Sequence, residues 1–197
     1  MIIAGFGRFG QIIGRLLYAN GIRATVLDFE PDQIELLRKF GFKIYYGDAT
    51  RLDLIESAGA LKAKVLVVAI DDVEDNLKLV DLAQKYFPHL KIVSRARNIQ
   101  HYYSLIDRQV EVIERELFEG SLKMGTEVLK LMGWSAFHAV KAAHKFRDHN
   151  ISMIYDLYPG RSNEKEMISK AKQARADLEK MFEEEKTLLQ QSDTGWD

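Results

Sequence analysis

Apolar positions along the first part of the chain follow two alternating spacings. Short β-branched runs stand at Ile2–Ala4, Ala24–Leu27, Lys43–Tyr46, Val65–Ile70, Lys91–Ser94 and Val110–Ile113. Between them, "FGQIIGRLLYAN", "PDQIELLRKF" and "VEDNLKLVDLAQKYF" repeat their apolar residues every three or four positions. The first spacing predicts buried strands and the second amphipathic helices. Punctuation agrees with that division. Asn20-Gly21 and Gly41 close helical stretches where a left-handed cap is wanted, and Pro31 opens one where its missing N–H does no harm. Strands alternating with helices at this interval predict right-handed crossovers and a parallel, doubly wound α/β sheet.

The pattern changes after Glu114. "EGSLKMGTEVLKLMGW" and "AFHAVKAAHKFRDHN" read as amphipathic helices, and "ISMIYDLY" as a short strand. "NEKEMISKAKQARADLEKMFEEEKTLLQQ" reads as a long charged helix with too little apolar surface for a core element. It is expected to lie along another subunit or along its own domain. The chain thus divides into residues 1–113, a nucleotide-binding type of domain, and 114–197, a helical dimerisation and sensing segment. The amphipathic helices of the second part carry more apolar surface than so short a segment can bury on itself, which predicts a homodimer.

Charge and composition narrow the partners. Lys and Arg number 28 against 29 Asp and Glu, a net charge of −1, so no overall field draws in nucleic acid and none is expected as partner. The absence of cysteine excludes disulfides, thiolate metal sites and a cysteine nucleophile. No signal peptide is visible, and no apolar run approaches the roughly 18 residues of a membrane span. These features fit a soluble piece of chain in the cytoplasm.

Candidate chemistry concentrates in the first turn. "GFGRFG" matches G-x-G-x-x-G. In that pattern Gly5 allows the tight turn, Gly7 lets the backbone approach a phosphate, and Gly10 lets the helix pack close to the strand. The helix N-terminus at Gly7, Arg8 and Phe9 then offers its free N–H groups to the anion. Asp28 ends the next strand, at the distance along the chain where a carboxylate binds both ribose hydroxyls. An acid there repels a 2′-phosphate, so NAD(H) or AMP is favoured over NADP(H). Phe29 and Ala69, at the ends of the second and fourth strands, flank the same crevice. After the third strand "YGDATR" brings Gly47, Asp48, Ala49 and Thr50 to the carboxyl end of the sheet, where adenine would lie. Asp48 can accept from the adenine amino group; equally, Asp48 or Thr50 can cap the helix that follows. Arg95 and Arg97 in "SRARN" close the fifth strand, facing phosphate or held in a surface salt bridge. Together these features predict a Rossmann-like nucleotide domain.

A catalyst is harder to find. None of the five histidines stands at the end of an early strand, and "AAHKFRDHN" puts His144 and His149 at a polar helix terminus. No metal-ligand spacing and no Ser-His-Asp constellation emerges. The chain reads as a non-enzyme, and a small NAD-dependent oxidoreductase is the weaker alternative.

"IIAGFGRFGQ", the acid ending the second strand, "YGDATR", "AIDD", "SRARN" and "ERELFEGSLKMG" together resemble the KTN/RCK nucleotide-binding domains. More narrowly they resemble the cytoplasmic regulatory domain of the Kef glutathione-gated potassium efflux systems, on the inner face of the bacterial inner membrane. The resemblance covers the chain to about Tyr158 and implies a membrane antiporter domain ahead of Met1. It further implies a homodimer, glutathione as the ligand that holds potassium–proton exchange shut, glutathione adducts that open it, and a flavodoxin-like oxidoreductase as ancillary subunit. Carried over by motif, Arg115 in "ERELFEG" and Asn150 in "RDHNISM" would hold glutathione, and Phe40 in "LRKFGFK" would be displaced by an adduct. The residues themselves leave Arg115 a second reading, a helical pair with Glu111 or Glu119 four positions away, and Phe40 that of a packed helix end. A nucleotide-gated KTN subunit of a potassium uptake system is the remaining alternative.

Overall fold

Strand runs of this chain are apolar on both sides, and the computed structural model shows why. It describes residues 1–30, 43–161, 168–170, 172–180 and 182–183; Pro31, Phe40 and Gly41 lie outside them. Six strands make one parallel sheet in the order β3-β2-β1-β4-β5-β6. They are β1 (Ile2–Ala4), β2 (Thr25–Asp28), β3 (Lys43–Tyr46), β4 (Val65–Val68), β5 (Lys91–Ala96) and β6 (Val112–Arg115). Strand β1 pairs with both β2 and β4, Ile2 standing opposite Thr25 on one side and Leu66 on the other.

Alternate residues along each strand feed two separate cores. Ile2, Ala4, Leu27, Leu66 and Val68 enter one; Ile3, Val26 and Val67 enter the other. The first is closed by α2 (Leu52–Ser57), α3 (Val73–Tyr86) and α4 (Ile99–Asp107) through Ile55, Leu79, Val80, Ala83 and Leu105. The second is closed by α1 (Arg8–Ala19), whose Phe9, Ile13 and Leu17 pack against Phe6 and its neighbours. Full burial of a side chain such as Phe6 or Ile3 stabilises by about 1.5–3 kcal/mol, so short strands of three or four residues suffice. Helix α1 ends as its sequence requires. Gly21 takes φ +74°, and the Ile22 N–H donates to the Leu17 carbonyl at 2.9 Å in the pattern of a glycine cap.

Several boundaries differ from the apolar runs. Strand β2 extends to Asp28 and β5 to Ala96, because Arg95 and Ala96 still pair with Glu114 and Arg115. Strand β4 stops at Val68, which frees Ala69 and Ile70 for the crevice described below. Strand β6 begins at Val112, so Arg115 is a strand residue and not part of a helix.

The chain divides into two compact units, Met1–Leu117 and Phe118–Asp197. In the second, α5 (Phe118–Leu131) and α6 (Ala136–Leu157) follow one another through a turn at Gly133, whose φ is +96°. The strand expected at "ISMIYDLY" is absent. Helix α6 starts on a Ser135 cap that accepts from the His138 N–H and runs on to Leu157. Its buried residues Ala139, Ala142, Ile154 and Leu157 keep the helical period, and an isolated strand would leave its own N–H and C=O groups without a ladder. His144 and His149 therefore stand within this helix, not at its end. Among the described residues no helix is long and apolar enough to cross a membrane.

Candidate functional site

In the sheet order, sequence direction reverses between β1 and β4, and ligands of open α/β sheets bind outside the strand ends at that switch point. A crevice of about 560 Å³ opens there. Gly5, Gly7, Asp28, Phe29, Asp48, Ala49, Thr50, Ala69, Arg95 and Arg97, all singled out from the sequence, line it.

The glycine turn is built by contacts that leave no room for side chains. Gly5 has φ +86°, and a Cβ there would meet the Ala69 carbonyl carbon and the Ile70 nitrogen at 2.9 Å. A Cβ on Gly10 would lie 2.2 Å from the Gly5 carbonyl oxygen. Gly7 is the opposite case, since nothing stands within 4 Å of the space its Cβ would take. Gly7 also occupies the N-cap position of α1 and has no side chain to cap it. The first N–H groups of α1 are thus left for something outside the chain. Arg8 and Phe9 open the helix; Arg8 points to solvent, while Phe9 packs into the second core under the Arg95 guanidinium, 5.4 Å from its ring centre.

Asp28 is buried, 7% exposed, at the end of β2. Its Oδ2 accepts from the Phe6 N–H at 2.5 Å and its Oδ1 from the Glu30 N–H at 2.8 Å. Each carboxylate oxygen retains a second acceptor site, so the group can still receive a diol. One residue therefore fastens the glycine turn and faces the crevice. Asp48 is drawn back on its own turn: Oδ1 accepts from the Thr50 N–H at 2.8 Å and Oδ2 from the Thr50 hydroxyl at 2.9 Å. Neither residue caps α2, whose N-cap position is Arg51 and carries no side-chain cap.

The two arginines are bound to carboxylates. Arg95, almost wholly buried, donates to the Ala69 carbonyl at 3.2 Å and to Asp71 Oδ1 at 2.6 Å, and pairs with Glu116. Arg97 stands 3.4 Å from Asp71 Oδ2. Behind them runs a buried polar network that joins Ser94 and Arg97 of "SRARN" to two residues outside the sequence motifs, Asn76 and His101. His101 Nδ1 accepts from the Arg97 N–H at 3.2 Å, which leaves the proton on Nε2 to be donated to Asn76 Oδ1 at 3.1 Å. The Ser94 hydroxyl donates to the same Asn76 oxygen at 3.1 Å. Asn76 is wholly buried and its Nδ2 faces the Ile70 and Arg95 carbonyls at 3.5 Å. Its position in α3, three, four and seven residues before Leu79, Val80 and Ala83, puts it on the buried stripe of that helix, a signal available in the sequence.

Burial first, then the charges of Arg95 and Arg108, hold the His101 imidazole below its ordinary range. The folded chain keeps it neutral where the unfolded chain takes up a proton. The resulting stability is complete above about pH 6.5 and is lost as pH falls from there through the folded value. Melting temperature should therefore fall on acidification from about pH 7.5 to 5, and fall less in His101→Gln. Parallel pH slopes for parent and variant would remove His101 as the source.

Arg115 and Asn150 fall in different compact units. Arg115 ends β6. Glu119 binds Arg147 in a fork, at 2.9 and 2.6 Å, and Glu111 lies 3.8 Å from Lys91. Asn150 is half-buried in α6, its Oδ1 enclosed with no hydrogen-bond partner among the described residues.

Comparison with known proteins follows the same division of the chain. Residues 1–115 match the TrkA-N domain. The chain belongs to the TrkA-N family. Within it the chain is of the Kef type: residues 120–195 match the potassium efflux system KefB C-terminal domain. The glutathione-regulated potassium-efflux system protein KefC of Salmonella paratyphi B, and that of Salmonella newport, are each 46% identical to this TrkA-N chain over 199 positions. The alignment covers all of this chain and 32% of either relative, so the chain spans about a third of their length. The Shewanella denitrificans Kef C-terminal domain in AMP-bound form is 43% identical with a TM-score of 0.75, covering 80% of this chain and 97% of that one. The TrkA-N domain of the inner membrane protein ybaL from Escherichia coli, 23% identical with a TM-score of 0.59 over 62% of this chain and 91% of that one, shares the fold.

Proposed function

We propose that this chain is the nucleotide-binding regulatory domain of a potassium efflux system, a binding module without catalytic activity. It would sit on the cytoplasmic face of the inner membrane and gate an antiporter domain of the same parent protein. The observation that carries the reading is a crevice at the switch point with open space over Gly7 and Asp28 at its rim, in a chain 43% identical to an AMP-bound Kef domain. The nucleotide is AMP or NAD(H): phosphate at Gly7, Arg8 and Phe9, ribose on Asp28, and adenine toward Asp48, Ala49 and Thr50 with Gly10 supporting the turn. Phe29 and Ala69 bound that space. Arg95 and Arg97, already neutralised by Asp71 and Glu116, shape the crevice more than they contact phosphate.

The regulatory ligand is glutathione or its adducts, held by Arg115 and Asn150. An enclosed acceptor at Asn150, without a donor among the described residues, is suited to the ammonium or amide N–H of a peptide-like ligand. A guanidinium suits its carboxylates. Phe40 would be the group that an adduct displaces. Exposed apolar residues on α5 and α6, among them Met124, Leu131 and Phe137, support a homodimer. The flavodoxin-like oxidoreductase would dock on the assembled system.

Light scattering followed by calorimetry tests the reading. The chain should have twice the monomer mass, bind AMP, and bind both glutathione and a bulky S-substituted glutathione. Arg115→Ala should weaken both glutathione ligands by about tenfold or more, through loss of a charge-assisted pair, and leave AMP affinity unchanged. A monomer with no heat from any glutathione ligand would overturn the regulatory assignment.

A further inference from the structure

The crevice is rich in carboxylates, and they are unevenly placed. Six acids line it, Asp28, Glu30, Asp48, Asp71, Asp72 and Asp75, against the two arginines. Asp28, Glu30 and Asp48 stand at the ends of β2 and β3, the side on which the nucleoside is read. Asp71, Asp72 and Asp75 follow β4 and open α3, on the far side of the glycine turn. Both arginines are on that far side too, but neither is free. Asp71 holds Arg95 and Arg97 together, and Glu116 takes the other approach to Arg95. Asp72 caps α3 by accepting from the Asp75 N–H at 3.0 Å, and Glu74 and Asp75 lie in the same first turn, so the positive end of that helix is already answered. Among the described residues no group of three or more acids or histidines is set to hold a metal ion that would offset this charge.

Resting on the nucleotide reading above, we infer that the far half of the crevice sets phosphate number. It admits a nucleoside monophosphate, or a dinucleotide whose second phosphate is closed by another nucleoside, and rejects nucleoside triphosphates. The first phosphate sits on the α1 N-terminus, where N–H groups are unmet. In a triphosphate the chain of phosphates continues across the switch point toward Asp71, Asp72 and Asp75, and each brings negative charge to a place that already has a surplus of it. Added phosphate charge meets these carboxylates where both crevice arginines are already paired, which raises the free energy of a triphosphate complex. A dinucleotide meets the same acids differently, because its second ribose brings hydroxyl donors that carboxylates accept. Asp71 and Asp75 are the specificity-determining residues.

Titration calorimetry of the whole chain in EDTA, with AMP, NAD and ATP as probes, tests this. AMP and NAD should bind, and ATP at least about tenfold more weakly than AMP. The readout for the variants is the ratio of AMP to ATP affinity. In the Asp71→Asn/Asp75→Asn double variant that ratio should fall severalfold, since two charges are removed and the Arg97 guanidinium is released while Arg95 keeps Glu116; Asp75→Asn alone should move it the same way by less. Raising the salt concentration should also narrow the gap in the parent chain. ATP binding as tightly as AMP, or a ratio unmoved in the double variant, would overturn the inference while leaving the nucleotide reading intact. Absence of heat with all three probes would overturn the nucleotide reading itself.

Discussion

Gly10→Ala is expected to yield a chain that melts far below the parent, and Gly7→Ala one that melts with it yet no longer holds a nucleotide. The same added methyl group has opposite consequences at two glycines three residues apart. At Gly10 it would lie 2.2 Å from the Gly5 carbonyl oxygen, a backbone atom that cannot swing aside, so either α1 or the Gly5 turn must move. The turn has little freedom, because Gly5 itself is pressed against Ala69 and Ile70. Forced overpacking of this kind destabilises by about 3 kcal/mol or more. At Gly7 the methyl meets nothing, and φ −65° suits any residue. The space it fills is the approach to the first N–H groups of α1. Thermal melts and AMP titration of the two variants separate the effects. A Gly10→Ala chain as stable as the parent, or a Gly7→Ala chain with parent affinity, would break the assignment of these two roles.

Asp28→Ala should damage both properties at once. Phe6 is wholly buried, and its N–H has Asp28 Oδ2 as acceptor. Removing that acceptor leaves a buried donor unmet, at about 1–3 kcal/mol. The Glu30 N–H lies nearer the surface and can turn to water. Nucleotide affinity should fall by more than about tenfold, since the carboxylate's free acceptor sites are those facing the ribose. Asp28→Asn distinguishes the contributions. Its side-chain oxygen can still accept from the Phe6 N–H, so most of the stability should return while affinity stays low. Parent-like affinity in a folded Asp28→Ala chain would sink the ribose assignment.

Much of this crevice is legible in the amino-acid sequence. The glycine spacing, the acid ending β2 and the "YGDATR" turn are short-range signals, each fixed by residues close in sequence, and they converge on one crevice because parallel strands bring their carboxyl ends together. The partners of the arginines are not legible there, because they depend on register across the sheet. Nothing local says that Arg95, Asp71 and Glu116, separated by more than 20 residues, will meet. Asn76 and His101 are readable in principle as polar residues on apolar helix stripes. Their role in fixing the Arg97 backbone emerges only from the fold. The strand expected at "ISMIYDLY" fails for the same reason: its alternation is local, and a helix already capped at Ser135 overrides it.

Arg95 joins the nucleotide crevice to the strand end at which Arg115 stands. It holds Asp71 in the nucleotide crevice and Glu116, the residue next to Arg115, while the Glu116 N–H donates to the Ala96 carbonyl at 3.0 Å. If glutathione draws on Arg115 as proposed, it would pull on the strand end to which the crevice is tethered. Linkage makes any such influence mutual: whatever factor glutathione imposes on nucleotide affinity, the nucleotide imposes on glutathione affinity. The cell's adenylate or NAD level would then set the threshold at which an electrophile's adduct is felt, and the domain would report energy state and chemical injury as a single output.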